Sequence, residues 1–399
     1  MRKASIVVGL GFGDEGKGLA TDFLARQAQH PLVIRYNGGQ QAGHTVSDGQ
    51  GKRHVFSNFG AGAFQGTPTY WSRFCTFAPA NLLKEFAALE LLGVQPQLLV
   101  DALCPVTTHY DVLYNQLLEK GRGAQRHGSC GMGFGATVER HENSPVRLYA
   151  QDLLFPEICA LKLPAIRQYY RQKLENRPDL DFDAYDHDAA DARWLELLNA
   201  LLRLKDRKIW QIAHEQAIFS DKAPWQHYVF EGAQGILLDM DFGFFPHVTR
   251  SNTTSKNAFD LLRRNHFFPE TEVVYISRCY QTRHGAGPFS WETDQLHLQN
   301  NALETNVFND YQGNFRYGHL SLDQLHYALQ CDRNFSGNTP KKLLLTCADQ
   351  LPEGRVTCYS GQAALDVPIA DLPNLVGDFE GGWISWGDWA GSLQSLFSI

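Results

Sequence analysis

The chain has 399 residues, a formal net charge of −7 and eight cysteines, with no lysine- or arginine-rich run and no C-x-x-C pair. That balance argues against a general nucleic-acid surface, and the scattered cysteines read as reduced thiols of a cytoplasmic protein rather than a disulfide frame or zinc site. The length allows a large core, and no apolar run approaches the roughly 20 residues that span a membrane.

Near the start, Ile6, Val7 and Val8 form a short β-branched run that enters a glycine-rich turn at residues 9–18. An apolar-periodic segment with Leu19, Phe23 and Leu24 follows and predicts a helix to about residue 29. Strand, glycine loop and helix in that order aim backbone N–H groups and a positive helix end at one point, where phosphate is the expected guest. Gly11, Gly13 and Gly16 fit G-x-G-x-x-G, yet no acid lies between Asp22 and Asp48 to complete a dinucleotide site. Gly11 to Lys17 also fits G-x-x-x-x-G-K, a Walker-type loop whose lysine reaches the β- and γ-phosphates, with Gly18 where a Mg2+-binding Ser or Thr would stand.

Residues 31–34 predict a second strand, and Asn37-Gly38-Gly39-Gln40-Gln41-Ala42-Gly43-His44-Thr45 follows it directly. In a parallel sheet that loop faces the first one, at the carboxyl end of the strands where open α/β sheets bind ligands. Asp14 and His44 would then divide proton abstraction from charge stabilisation over a bound phosphate.

Residues 54–57 read as a short strand, 79–92 as a helix with an apolar face, 97–100 as a buried strand and 108–120 as a helix. Residues 155–226 read as helical and insertion-like, with an acidic loop at 179–191. Residues 227–230 and 272–277 predict buried strands that deliver Glu231 and Gln234, then Thr282 and Arg283, to the same sheet end. A helix at 322–330 and a strand at 343–345 precede Thr346, Cys347, Ala348 and Asp349. The expected fold is one α/β domain over residues 1–399: a large, mainly parallel central sheet flanked by helices, with the 155–226 segment inserted.

Five blocks, in this order, resemble the adenylosuccinate synthetase family. Residues 13–18 match its G-D-E-G-K-G and 38–45 its G-G-x-x-A-G-H-T. Residues 230–235 match F-E-G-A-Q-G, 238–254 fit L-D-x-D…P-x-V-T-x-S-N-T-T, and 282–289 resemble T-R-V-G-E-G-P-F.

The resemblance implies a GTP- and Mg2+-dependent carbon–nitrogen ligase, with ATP not excluded. In that chemistry an aspartate takes the N1 proton of a 6-oxopurine nucleotide, the oxygen attacks the γ-phosphate, and an amine then displaces phosphate at C6. By resemblance Asp14 is the base and a metal ligand, His44 the acid or charge stabiliser, Lys17 a phosphate holder and the Gly43 carbonyl a second metal ligand. Gly13, Glu15, Gly16, Lys17, Gly18, Gly43, His44 and Thr45 would hold the triphosphate nucleotide, and Asp349 its guanine base. Asp14, Gln41, Cys130, Gln234 and Thr249 would hold the monophosphate substrate. Gly313 and Arg316 would belong to the amine loop. The implied partners are small-molecule substrates and a second copy of the chain, with Arg140 or Arg147 lent across the dimer.

The sequence departs from the family pattern in three places. Cys130, Met132 and Ala136 replace a threonine, an arginine and a proline of the monophosphate loop. Residues 310–319 keep only Arg316 of an arginine cluster that captures L-aspartate, although a dicarboxylate calls for cations in bidentate geometry. Cys347 stands for a lysine beside the base. A divergent member, using L-aspartate or another amine, is the expectation; the alternative is a nucleotide-binding regulatory paralogue without ligase activity.

Overall fold

The computed structural model describes residues 1–123, 127–299, 304 and 313–396. Ten strands form one sheet in the spatial order Leu393–Ser395, Gly381–Ser385, Lys341–Thr346, Glu270–Arg278, Lys3–Gly9, His227–Gly235, Pro31–Arg35, Thr69–Trp71, Leu98–Asp101, Trp210–Ala213. Every neighbouring pair is parallel except at the edge strand Leu393–Ser395. The mainly parallel α/β sheet read from the sequence is the one the chain builds.

Lys3–Gly9 lies at the centre, covered on both faces. Ile6 and Val8 join Ile34, Phe230, Tyr275 and Leu345 in one apolar layer. Val7 joins Val33, Val229, Val274 and Leu344 in the other, against Ala20 and Leu24 of the helix Lys17–Gln27. Burial on both faces is why the strand reads as an unbroken apolar run rather than an alternating one. A third apolar cluster packs the helices Pro79–Leu91, Pro156–Lys173 and His187–Asp206 over the strands at the far edge.

The 155–226 segment is mainly helical, as its periodicity suggests, but it also supplies the edge strand Trp210–Ala213, parallel to Leu98–Asp101. Four residues are too few for a strand to be told from a helix end by pattern. The acidic run is likewise divided: a helix begins at His187, capped by the Asp186 carboxylate, which accepts from the Ala189 N–H at 3.1 Å. Among the described residues no helix is long and apolar enough to cross a membrane.

Register positions the site. Gly9 is level with Gly235 and Ile276, Arg35 with Glu231, and Thr346 with Arg278. Five strands therefore release their loops at one height, along the carboxyl edge of the sheet.

Candidate active site

The loop from Gly9 into the helix Lys17–Gln27 is left-handed at Gly13, Asp14 and Gly16, with φ of 98°, 62° and 96°. Glycine reaches that region freely, whereas an aspartate there must be held by its surroundings. Arg278 Nε donates to the Asp14 carbonyl at 2.5 Å, and the Thr346 hydroxyl donates to the Glu15 carbonyl at 2.7 Å. The Leu237 N–H reaches the Gly11 carbonyl at 3.0 Å. Three neighbouring strand ends thus pin one turn.

The Glu15 side chain turns back into its own loop. Its carboxylate lies beneath the loop, accepting from the Gly11 and Gly13 N–H groups at 3.0 and 2.8 Å and from Lys17 Nζ at 2.5 Å. A Cβ at Gly9 or Gly235 would fall 2.4 or 2.6 Å from this carboxylate, so glycine at both positions makes room for it. In this arrangement Glu15 anchors the loop from behind, and Lys17, 2% exposed, is its counter-ion. The start of the helix Lys17–Gln27 is able to attract an anion. Burial pushes the Asp14 carboxyl up from its ordinary value, against the pull of Arg278 and Lys17.

His44 opens the short strand His44–Ser47, which lies against that helix start. A Cβ at Gly18 would sit 2.9 Å from the His44 Cβ and 3.0 Å from the Thr45 carbonyl oxygen. The Walker-type loop therefore ends in glycine for a steric reason. His44 Nδ1 meets Glu231 Oε1 at 2.6 Å, and the other Glu231 oxygen lies 3.3 Å from the Ala61 N–H and 3.9 Å from Arg35 Nη1. Burial pushes the imidazole down, and the Glu231 carboxylate pulls it back up.

The Asp14 carboxyl and the carbonyl of Gly43, an exposed residue, are hard oxygen donors on two loops brought together by the Gly18–His44 contact. Such a set fits Mg2+, which keeps waters and takes substrate phosphates at its remaining positions. Among the described residues no group of three or more His, Cys, Asp or Glu side chains is arranged to hold a metal by itself.

The second loop is clamped onto the third by Asn37, whose Oδ1 accepts from the Ala233 N–H at 2.7 Å while Nδ2 donates to the Ala233 carbonyl at 3.0 Å. Close by in the chain, Gln41 and Gln234 carry buried amide atoms with no hydrogen-bond partner among the described residues, and Gln234 has φ 64°. Buried amides rarely stay unpartnered, and a bound polar ligand would satisfy these. Gln40 Nε2 donates to the Met132 carbonyl at 3.0 Å, which brings the loop before the helix Phe134–Asn143 to the same place. Cys130 is half-buried in that loop, and burial pushes its thiol up, so it stays neutral. Thr249 donates its N–H to the Leu238 carbonyl at 2.8 Å, and the next residue, Arg250, pairs with Glu139 and Glu142 of the same helix.

The two candidate arginines separate cleanly. Arg140 is fully buried, paired with Asp111 at 2.9 Å and bonded to the Val106 and Val146 carbonyls. Arg147 is exposed, with Nε on the Ser144 carbonyl at 3.2 Å. Of the two, Arg147 is the one at the surface.

On the far side of Asp14, strands Gln281–His284 and Phe315–Gly318 pair as an antiparallel hairpin. Both of its arginines are engaged within the protein. Arg283 donates to the Ala286, Pro288 and His247 carbonyls and lies 4.4 Å over the Phe12 ring. Arg316 forks onto the Glu292 carboxylate at 2.7 and 2.5 Å and gives Nη1 to the Gly285 and Gly287 carbonyls. Arg316, the arginine that the resemblance assigns to the amine loop, is therefore already bidentate with a carboxylate of the chain itself. Gly313, with φ 99°, precedes that strand, and residues 310–312 lie outside the described residues. Asp349 sits on the one-turn helix Ala348–Gln350 beyond Thr346, where burial raises its carboxyl; Cys347 beside it is half-buried.

The chain matches the model of the adenylosuccinate synthetase family over residues 6–354. The chain belongs to that family. Membership makes it a nucleotide-dependent carbon–nitrogen ligase. The fold is similar to that of fully ligated adenylosuccinate synthetase from Plasmodium falciparum, with TM-score 0.73 at 18% identity over 98% of this chain and 99% of the other. It is also similar to cyanophage S-2L succinoaminodeoxyadenylate synthetase bound to dGMP and dATP as an energy donor, with TM-score 0.65 at 16% identity over 99% and 96%. The resemblance carried by five short blocks is borne out.

Several working parts of the site gave no motif signal. Arg278 shows in the sequence only as a cation ending an apolar strand; Glu231 lies within a matched block, but nothing in the sequence signals its pairing with His44. Asn37 shows only as a polar residue before two glycines.

Proposed function

We propose that this synthetase phosphorylates the 6-oxygen of a purine nucleoside monophosphate, IMP or a close analogue, using GTP, and then joins an amine at C6. One observation carries the reading: a half-buried Asp14 on a pinned loop and a histidine on the facing loop share the N-terminal end of one helix. Asp14 takes the N1 proton, so that O6 becomes the nucleophile. His44 stabilises the group in transfer, while the helix start and Lys17 offset phosphate charge. Mg2+ held by Asp14 and the Gly43 carbonyl would neutralise charge between the phosphates. Gln41, Gln234, Thr249 and the Cys130 loop orient the monophosphate, and Asp349 accepts from a guanine base.

The amine is L-aspartate or another primary amine. A dicarboxylate reaches Arg316 only by displacing Glu292. Arg147 of a second copy completes the monophosphate site in a homodimer. Eight free cysteines, six of them buried, suit a reducing cytoplasm.

The test is phosphate release from purified protein with IMP, GTP, Mg2+ and L-aspartate, with single omissions and an Asp14→Ala control. The cyanophage relative makes dGMP as acceptor and dATP as donor necessary further arms. Release that needs every component and disappears in the control is the expected result. No release with any amine, hydroxylamine included, while both nucleotides still bind in calorimetry, would move the reading to a regulatory nucleotide binder.

A further inference from the structure

The geometry points to Glu231, backed by Arg35, as a positioning residue that fixes the His44 ring with Nε2 turned toward the phosphate loop. This rests on the role given to His44 above.

Glu231 ends a strand stretch that is otherwise apolar, and it is wholly buried at the carboxyl edge of the sheet. A carboxylate there carries a large desolvation cost unless it is paired and hydrogen-bonded. Its partners are three: His44 Nδ1 at 2.6 Å, the Ala61 N–H at 3.3 Å and the Arg35 guanidinium at 3.9 Å. Arg35 is stranger still. It is 0% exposed, none of its three nitrogens has a hydrogen-bond partner among the described residues, and it lies 5.7 Å over the Trp71 ring. Sheet register sets it directly opposite Glu231.

A pair so poorly bonded does little for stability, because well-packed apolar side chains would serve as well in its place. What it does supply is a fixed negative charge behind one histidine. A carboxylate on Nδ1 makes that nitrogen the N–H of the neutral ring and locks the ring plane, which leaves Nε2 directed away from the sheet. Gly18 packs against the His44 Cβ and sets the backbone, so Glu231 sets the remaining freedom, rotation of the ring. The helix start that binds phosphate and the ring that faces it are then in register before substrate arrives.

The experiment pairs ring-nitrogen NMR with kinetics. In the wild-type protein, 15N-labelled His44 is expected as the Nδ1–H tautomer; the Nε2–H tautomer would overturn the proposal without any variant having to fold. In Glu231→Gln, kcat is expected to fall about 10- to 100-fold while the KM for both nucleotides stays within about threefold. Glu231→Asp should recover part of that loss. Combining Glu231→Gln with His44→Ala should cost no more than His44→Ala alone, since the glutamate acts through the ring. Additive losses, or an unchanged kcat in Glu231→Gln, would overturn the proposal. Full activity in His44→Ala alone would instead sink the role of His44 in the proposed reaction, and the NMR result would still report on Glu231.

Discussion

The two walls of the cleft are made of different material. The phosphate wall is backbone: the turn at residues 9–18 and the helix after it, pinned by Arg278, Thr346 and Leu237 and supported from beneath by Glu15. The hairpin wall is side chain, and its two arginines, Arg283 and Arg316, are held by carbonyls and by Glu292. A wall of N–H groups persists through substitution as long as the glycines that shape it remain. A wall of guanidinium groups changes its ligand with one exchange. The same contrast recurs in Arg140 and Arg147, seven residues apart, one inside the fold and one presented outward.

The largest effect belongs to the phosphate wall. Asp14→Asn keeps the shape and removes the base, so phosphate release should fall about 10²- to 10⁴-fold with nucleotide affinity in calorimetry retained. Arg140→Met leaves Asp111 as an unpaired buried carboxylate and should cost about 3–5 kcal/mol in denaturant unfolding; Arg147→Met should leave stability within about 0.5 kcal/mol. Gly18→Ser puts a Cβ into the His44 contact and should lower kcat about 100-fold. On the hairpin wall the half-exposed Glu292 gives a smaller effect. Glu292→Gln should lower the KM for a dicarboxylate amine by no more than about fivefold, with hydroxylamine-supported release unchanged. A larger gain would show that Arg316 is the main selector of the amine.

The smallest effect is a pH dependence of stability in the helices His109–Arg122 and Phe134–Asn143, away from both walls. Burial pushes His109 down to about 4 and His141 down to about 3. The unfolded chain takes up these protons near pH 6.5, and the folded chain refuses them until well below that. Their contribution is therefore complete above pH 6.5 and is lost as pH falls toward 4. Melting temperatures over that range should decline, and His109→Phe should flatten part of the decline.

What the sequence made legible follows the same division. Gly13, Gly16 and Gly18 mark backbone geometry, which leaves a local signature, so the loop, its strand and its helix were readable. The central strands were readable because burial on both faces forces unbroken apolar runs. The inward turn of Glu15 was not readable, because side-chain direction in a left-handed loop depends on what lies beneath, here Gly9 and Gly235 from two different strands. Neither was the Arg316–Glu292 pair, whose members stand 24 residues apart and meet only when the hairpin closes. The choice between Arg140 and Arg147 needed Asp111, which comes from another helix. The strand Trp210–Ala213 was lost to its length.

The contact between Gly18 and His44 has a mechanical side as well. With less than a side chain's width between them, helix and strand cannot slide past each other, so the helix start and the strand that carries His44 form one block. On the opposite bank the joint between Arg316 and Glu292 is a pair of partly exposed ions, which can part and re-form where the Gly18–His44 contact cannot.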